Sequence, residues 1–311
     1  MKINTFALSI QNITKIYPNH TKANDEISLD VGEGEIVGIV GPNGAGKTTL
    51  IRQILGLLKP TSGDIQIYGE SIYTNAKLIY ETIGYVPQGS LYYPALTIRE
   101  TVNHVIRLQG IEKKEITHRT DRVLTTLGID QFADIQGYQL SGGLQKAALV
   151  AVALAKEPRI LVLDEPTDMI DLVKRNQIWE VINKYTSESR SVLLSSHDMN
   201  EVKTLCDRIY FLVGGKIVLG GSTGEILWSR KTPVEVEFIP LAIDQKVYLD
   251  DKVEMFQNNA GIIKTVFDDF EQGVAFLNRL MESGGARYLK LEGPSFDKVV
   301  LQIVEKGTEP R

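Results

Sequence analysis

EIVGIVGPNGAGKTTLIRQILGLL (residues 35–58) joins an apolar run to a helical pattern through a glycine-rich loop. The run EIVGIV (35–40) is short and β-type, as expected for a strand in a sheet that is covered on both faces. The loop GPNGAGKTT (41–49) fits the pattern G-x-x-x-x-G-K-[ST] in full. Because this motif requires a strand before it and a helix after it, the stretch predicts a phosphate-binding loop in an α/β fold.

The residue types of this loop suit the phosphates of a nucleotide. Glycines let successive backbone N–H groups point inward, and the helix N-terminus adds positive potential. We expect Lys47 to reach the β- and γ-phosphates, the Thr48 hydroxyl to bind Mg²⁺, and Thr49 to donate to the α-phosphate. The predicted phosphate-binding residues are Gly41, Asn43, Gly44, Ala45, Gly46, Lys47, Thr48 and Thr49.

Two carboxylates follow a second apolar run, RILVLDEPTD (159–168). A buried strand that ends in Asp164 and Glu165 is costly unless these charges find partners. With a phosphate loop upstream, we expect Asp164 to hold Mg²⁺ through water and Glu165 to polarise a water molecule for attack on the γ-phosphorus. The alternative is a strand end that simply reaches solvent.

The helix that begins at LSGGLQK (140–146) has a bare N-terminus. Two adjacent glycines cost helix stability, although the sequence that follows, AALVAVALAK, predicts a buried helix. Ser141 as N-cap, with Gly142 and Gly143 exposing backbone N–H groups, would form a second anion site. One nucleotide does not need two such sites on one chain, so we expect a head-to-tail dimer in which each chain closes the nucleotide of the other.

In combination, these motifs resemble the ATP-binding cassette family of ATPases from Tyr17 to about Thr223. The resemblance implies ATP and Mg²⁺ as cofactors and ATP hydrolysis coupled to transmembrane transport. It also implies that Tyr17 stacks on adenine, that Gln88 of IGYVPQ senses Mg²⁺ and the attacking water, and that His197 contacts the γ-phosphate. Asp171 would close the loop that crosses the dimer interface. The sequence departs from the family pattern at Leu144 and in Asp-Met-Ile-Asp-Leu (168–172), which affects the expected geometry of the closed dimer.

Composition limits the possible partners. The chain has 311 residues and a net charge of −5, and the stretch from Thr232 onward, with 9 basic and 14 acidic residues, carries that whole excess. An acidic tail on a neutral body argues against nucleic acid. The single cysteine, Cys206, excludes a disulfide within the chain, and we expect it to be a buried small hydrophobe. We find no signal peptide and no apolar run of membrane-spanning length.

The predicted fold class is an α/β P-loop NTPase of ABC type with an inserted helical subdomain and a small α+β C-terminal domain. We expect a nucleotide-binding domain at 1–231, its helical subdomain at about 90–155, and an accessory domain at 232–311. SVLLSS (191–196) predicts a further buried strand, and RIYFLVGGKIVLGG (208–221) predicts a hairpin that turns at Gly214-Gly215. In the accessory domain, one helical face is expected to carry Phe270, Val274, Leu277 and Met281.

The single contiguous cassette favours a transporter subunit that drives a separate membrane permease. We expect it at the cytoplasmic face of the membrane, bound to the permease and paired with itself or a related ATPase subunit. The apolar loop in GSLYYPALTIRETV (89–102) suits a permease helix, or else packs within the helical subdomain. The C-terminal extension resembles that of drug, antibiotic, lantibiotic and sodium exporter ATPases, which favours export, although a regulatory ligand domain of an importer stays open. A non-transport role, as an ATP-gated interaction protein, is the alternative of a different class.

Overall fold

The computed structural model describes residues 6–89, 93–168, 170–227, 234–241, 255–257, 261–267, 270–282 and 286–292. The chain forms two compact units, Met1–Gly220 and Gly221–Arg311. The predicted boundary after residue 231 falls in the segment 228–233, which lies outside the described residues, and stays a prediction. Leu91, Tyr92 and the GPSF segment from Gly293 also lie outside them.

The first unit contains most of the helices and strands of the described residues. In chain order they are β1 (Leu8–Ile16), β2 (Lys22–Val31), β3 (Ile36–Val40), α1 (Lys47–Ile54), β4 (Ser62–Ile67), β5 (Glu70–Ser71), α2 (Lys77–Thr82), β6 (Ile83–Val86), α3 (Ile98–Leu108), α4 (Lys113–Thr126), α5 (Gly142–Leu154), β7 (Ile160–Asp164), α6 (Leu172–Ser187), β8 (Ser191–Ser196), α7 (Met199–Leu205), β9 (Arg208–Val213) and β10 (Lys216–Ser222).

A six-stranded sheet in the order β10-β9-β3-β8-β7-β6 forms the centre of this unit. The pairs β9-β3, β3-β8, β8-β7 and β7-β6 are parallel, and every residue of β3, β7 and β8 is buried. The three predicted apolar strands are therefore confirmed. Since parallel neighbours end at the same edge, the chain segments that follow β3, β7 and β8 meet there.

The hairpin between β9 and β10 is also confirmed. Its two-residue turn is Gly214-Gly215, with φ angles of 54° and 80°. Both values lie in the left-handed region that a tight hairpin turn requires and that glycine adopts without steric cost.

A second, antiparallel sheet in the order β2-β1-β4-β5 was not predicted. Its apolar face contributes Leu8, Ile10, Ile27 and Ile65 to the same core as Ile39 of the parallel sheet. The two sheets therefore enclose helix α1 and the loop before it, because Leu50, Ile51 and Ile54 of α1 belong to that core.

Three helices, α3, α4 and α5, lie between β6 and β7 in the chain and contact one another. Helix α3 begins with a capping box, in which the Thr97 hydroxyl accepts from the Glu100 N–H and the Glu100 carboxylate accepts from the Thr97 N–H. Helix α5 is buried along most of its length, as its apolar sequence predicts.

The second unit contains α8 (Thr223–Leu227), β11 (Val234–Pro240), β12 (Met255–Gln257), β13 (Ile263–Phe267), α9 (Phe270–Glu282) and β14 (Ala286–Glu292). Its four strands form an antiparallel sheet in the order β12-β13-β11-β14. Val234, Val236 and Phe238 of β11 form a core with Phe276 and Leu280 of α9.

The predicted apolar face of α9 is wrong in part, because Met281 is 64% exposed. The helix turns Gly273, Phe276 and Leu280 toward the sheet, and Val274 and Leu277 are only half-buried. A Cβ at Gly273 would lie 2.3 Å from Val234, so this glycine lets the helix approach the strand closely. That close contact fixes the rotation of the helix, and helical spacing alone did not show it.

Candidate active site

The loop between β3 and α1 follows the predicted strand–loop–helix arrangement. Gly46 caps α1 with a φ of 107°, and a Cβ there would lie 2.3 Å from the Ala23 carbonyl oxygen. At Gly41 a Cβ would lie 2.1 Å from the Leu212 carbonyl oxygen. Both positions therefore require glycine, one for its backbone conformation and both for space.

Lys47 lies between this loop and the acidic end of β7. Its ammonium donates to the Gly41 carbonyl at 2.6 Å and the Pro42 carbonyl at 3.2 Å. It also lies 3.5 Å from Oε1 of Glu165, and both side chains are buried. The loop cation and the predicted catalytic carboxylate thus form one pair.

Glu165 is the point where the predicted site residues meet. Its Oε2 accepts from Nε2 of Gln88 at 2.7 Å and lies 3.4 Å from Nδ1 of His197. His197 also lies 4.0 Å from Asp168 and is half-exposed. Gln88 follows β6, Glu165 follows β7 and His197 follows β8, so neighbouring parallel strands bring the three together.

Asp164 lies at the buried end of β7. Its Oδ1 accepts from the Ser195 hydroxyl at 2.6 Å, and its Oδ2 has no hydrogen-bond partner among the described residues. A buried carboxylate oxygen without a partner is costly, which suits a position that a cation occupies. Since Mg²⁺ usually takes one or two protein oxygens and keeps several waters, Asp164 and the Thr48 hydroxyl fit its requirements.

The phosphate loop and the Glu165 carboxylate face the same cavity, which has a volume of about 480 Å³. It is lined by the phosphate loop, Gln88 and Glu165, and also by the start of β2 and the β9–β10 turn. The latter residues, which the sequence did not predict, are Thr21, Lys22, Ala23, Gly214 and Gly215. Tyr17 does not line this cavity, although its backbone N–H bonds the Thr21 carbonyl at 2.9 Å.

The tip of α5 lies apart from this cavity. The Ser141 hydroxyl accepts from the Leu144 N–H at 3.4 Å, which confirms Ser141 as the N-cap. A Cβ on Gly142 would meet nothing within 4 Å, whereas one on Gly143 would lie 3.5 Å from the Asp171 carboxylate. Neither glycine nor Ser141 lines the cavity that contains Lys47. Within one chain the two predicted anion sites are therefore separate.

Four buried polar residues around the site were missed. Ser195 holds Asp164, and Lys146 of α5 donates to the Pro87 carbonyl at 3.3 Å. Burial lowers the pKa of Lys146, and neighbouring carboxylates, Asp168 first, oppose that shift. Thr167 and Glu201 hydrogen-bond each other behind the site. For Ser195, Thr167 and Glu201, a polar position close in sequence to Asp164-Glu165 or His197 was the only signal.

Comparison with known proteins shows the family to which this chain belongs. The profile of the ABC transporter family matches residues 24–168. The Nod factor export ATP-binding protein I of Cupriavidus metallidurans is 33% identical over 290 residues, which are 92% of this chain and 93% of that protein. The chain belongs to the ABC transporter family. It is an ATP-binding subunit of the exporter type, as the sequence predicted.

A further relative and a solved structure also match the ATP-binding cassette. The human retinal-specific phospholipid-transporting ATPase ABCA4 is 37% identical over 68% of this chain, which spans only 9% of that protein's length. The structure of cbiO1 from Clostridium perfringens, part of the ABC transporter complex cbiONQ, is 28% identical. The superposition has a TM-score of 0.65 and covers 71% of this chain and 90% of the cbiO1 chain. The predicted fold class is therefore confirmed.

The family binds ATP, with Mg²⁺ as the usual partner, and hydrolyses it to power transport by membrane permease components. Across the described ranges, no helix has both the length and the apolar character that crossing a membrane needs.

Proposed function

We propose that this chain hydrolyses Mg²⁺–ATP at the Glu165 site and thereby drives export through a separate membrane permease. The observation that carries the proposal is the convergence of Lys47, Gln88 and His197 on one buried carboxylate, beside a phosphate loop. Hydrolysis at the γ-phosphate needs a cation beside the phosphate, a base or water-orienting group, and polar contacts around the attacking water. The loop after β3 supplies the cation, and the ends of β6, β7 and β8 supply the other groups.

The phosphate loop, from Gly41 to Thr49, binds the triphosphate through its N–H groups and Lys47. The hydroxyl of Thr48 and the side chain of Gln88 would hold Mg²⁺, with Asp164 acting through water, and the ion would supply positive charge that neutralises the phosphates. Glu165 orients the attacking water and accepts its proton, and His197 contacts the γ-phosphate. The partly buried ring of Tyr17 stacks on adenine, outside the cavity that holds the phosphates.

A second subunit completes the site. At the tip of α5, Ser141 and Gly142 are exposed, whereas Gly143 is buried beside Asp171. None of the three lines the cavity of its own chain. In a head-to-tail pair, a copy of this chain or a related subunit places that tip on the γ-phosphate side of the bound ATP. ATP then favours the closed pair, and hydrolysis releases it.

The permease holds the pair at the cytoplasmic face of the membrane. Export is the favoured direction, since a relative that matches almost the whole chain is named for export. A membrane protein that co-purifies with this chain and stimulates its ATPase activity would support this partner. A stable complex with ribosomes or DNA in its place would contradict it.

Glu165→Gln is the direct test of the catalytic role. The amide keeps the shape and the contact region of the side chain but cannot take a proton, so ATP binding is retained and turnover falls by roughly 100-fold or more. Equilibrium ATP binding, steady-state ATPase rates and the fraction of ATP-bound dimer measure the three effects. Glu180→Gln makes the same change at an exposed position of α6 and is the matched control. Unchanged turnover in Glu165→Gln would remove Glu165 from its role.

A further inference from the structure

Glu201, on helix α7, is a buried carboxylate to which the proposed mechanism gives no part. It is 1% exposed and accepts three hydrogen bonds from side chains. Its Oε1 accepts from the Thr167 hydroxyl at 2.5 Å and from the Trp179 indole N–H at 3.1 Å. Its Oε2 accepts from the Ser196 hydroxyl at 2.7 Å. The cost of burying this charge is offset by three donors, as buried carboxylates require.

The donors come from the chain segments on either side of the catalytic groups. Thr167 lies two residues after Glu165, and Ser196 directly precedes His197. Trp179 lies on α6, the helix that Asp171 caps. One carboxylate therefore connects the segment after β7, the end of β8 and the middle of α6.

The His197 ring is half-exposed. Its charged neighbours in the described part of the chain are Glu165 and Asp168, at 3.4 Å and 4.0 Å. The backbone beside it is fixed through Ser196, whose hydroxyl accepts from the Asp198 N–H at 3.0 Å while it donates to Glu201. The position of the ring relative to Glu165 therefore depends on where Ser196 is held.

We propose that Glu201 is a positioning residue, which sets the distance between Glu165 and His197 by joining Thr167 to Ser196. This inference rests on the proposed roles of Glu165 and His197. A carboxylate suits the task because all three partners donate. The indole N–H can only donate, and both hydroxyls donate to Glu201, the Ser196 hydroxyl at 2.7 Å against 3.4 Å to the Asp198 carbonyl. Glutamine replaces one of the two acceptor oxygens by an amide N–H, so the donor at that position loses its acceptor on residue 201.

The test compares Glu201→Gln with His197→Ala and with the double variant in the full-length chain. Because the phosphate loop is untouched, Glu201→Gln is expected to lower kcat about tenfold while KM for ATP changes less than about twofold. Since Glu201 acts through His197, the double variant is expected to be no slower than His197→Ala alone, within about twofold. Glu180→Gln again serves as the exposed control, and thermal unfolding shows that each variant is folded at the assay temperature.

A second pair of variants decides the matter if Glu201→Gln fails to fold. Thr167→Val removes one donor at nearly the same volume and is expected to lower kcat, whereas Thr167→Ser keeps the hydroxyl and recovers the rate. An unchanged kcat in Glu201→Gln or Thr167→Val would overturn the inference, as would losses that add fully to that of His197→Ala. If the wild-type chain hydrolyses no ATP, or His197→Ala is fully active, the proposed function fails instead.

Discussion

Glu165 has a backbone conformation that glutamate rarely adopts. Its φ is 49°, in the left-handed region, which costs a non-glycine residue about 1–3 kcal/mol. Its N–H donates to the Ser195 carbonyl at 3.1 Å and lies 3.2 Å from the Ser195 hydroxyl. Ser195 also holds Asp164. The neighbouring strand thus maintains a conformation that aims the carboxylate at Gln88, Lys47 and His197.

Gly46 gives a prediction at this scale. Gly46→Ala places a Cβ 2.3 Å from the Ala23 carbonyl, at a φ of 107°, so the loop must shift away from the phosphates. We expect ATP binding to fall by roughly 100-fold or more, with a loss of unfolding free energy of about 1–3 kcal/mol. Equilibrium ATP binding and denaturant unfolding measure the two effects.

Gly69→Ala is the control that separates the cost of the backbone conformation from the cost of the steric clash. Gly69 also has a positive φ, 82°, but a Cβ there would meet nothing within 4 Å. Its substitution is expected to cost about 1–2 kcal/mol of stability through the backbone alone. If Gly46→Ala bound ATP as well as Gly69→Ala does, the close approach of Gly46 to Ala23 would not be needed for the phosphate loop.

Single residues were predictable where a motif fixes both type and spacing. The phosphate loop, Asp164-Glu165 and His197 belong to this group, and the structure brings Lys47, Glu165, Gln88 and His197 together. Ser195, Thr167 and Glu201 were not predictable, because their contacts join segments that meet only through strand order. Lys146 was hidden for another reason: in the sequence it reads as a surface lysine on an apolar helix.

At the scale of elements, α5 combines a buried body with an exposed tip. Its body is as apolar as a core helix, so packing holds it in place far more than the first turn does. The first turn is therefore free to present Ser141 and Gly142 to a ligand. The N-cap of α3 has no such function, since Thr97 and Glu100 form a capping box.

Ser141→Ala and Thr97→Ala together test this difference. Each removes an N-cap hydroxyl, so each is expected to lower the free energy of unfolding by about 1 kcal/mol. Only Ser141→Ala removes a group that we place on the partner's ATP, so only this variant should lower the ATPase rate, by about tenfold. Denaturant unfolding and steady-state kinetics give both numbers. Equal ATPase rates in the two variants would show that Ser141 acts as a cap alone.

Elements with a strong periodic pattern were predictable, and their partners were not. The runs that became β3, β7 and β8 were recognised as strands, but their order in the sheet is set by tertiary packing. The antiparallel sheet of β1, β2, β4 and β5 escaped notice because its strands mix buried and exposed positions with register shifts. Helix α9 was found, yet its rotation depends on the contact between Gly273 and Val234.

At the scale of the whole molecule, the two anion sites that we propose do not meet within one chain. Lys47 and Glu165 line a cavity, and the tip of α5 lies elsewhere on the same unit. The proposed two-fold symmetric pair would resolve this, because a contact from chain one to chain two is repeated from chain two to chain one. Two complete sites would then form at a single interface.

Mixing two inactive variants tests this arrangement. Lys47→Ala damages the loop side of a site, and Ser141→Arg damages the opposite side. In an equal mixture about half of the pairs contain one chain of each kind, and each such pair has one intact site, so about a quarter of the wild-type ATPase rate is expected if the sites act independently. The control mixes Lys47→Ala with a chain that carries both substitutions, which leaves every site damaged. A mixture no more active than that control would contradict the shared site, because the loop of one chain and the α5 tip of the other would then not form an active site together.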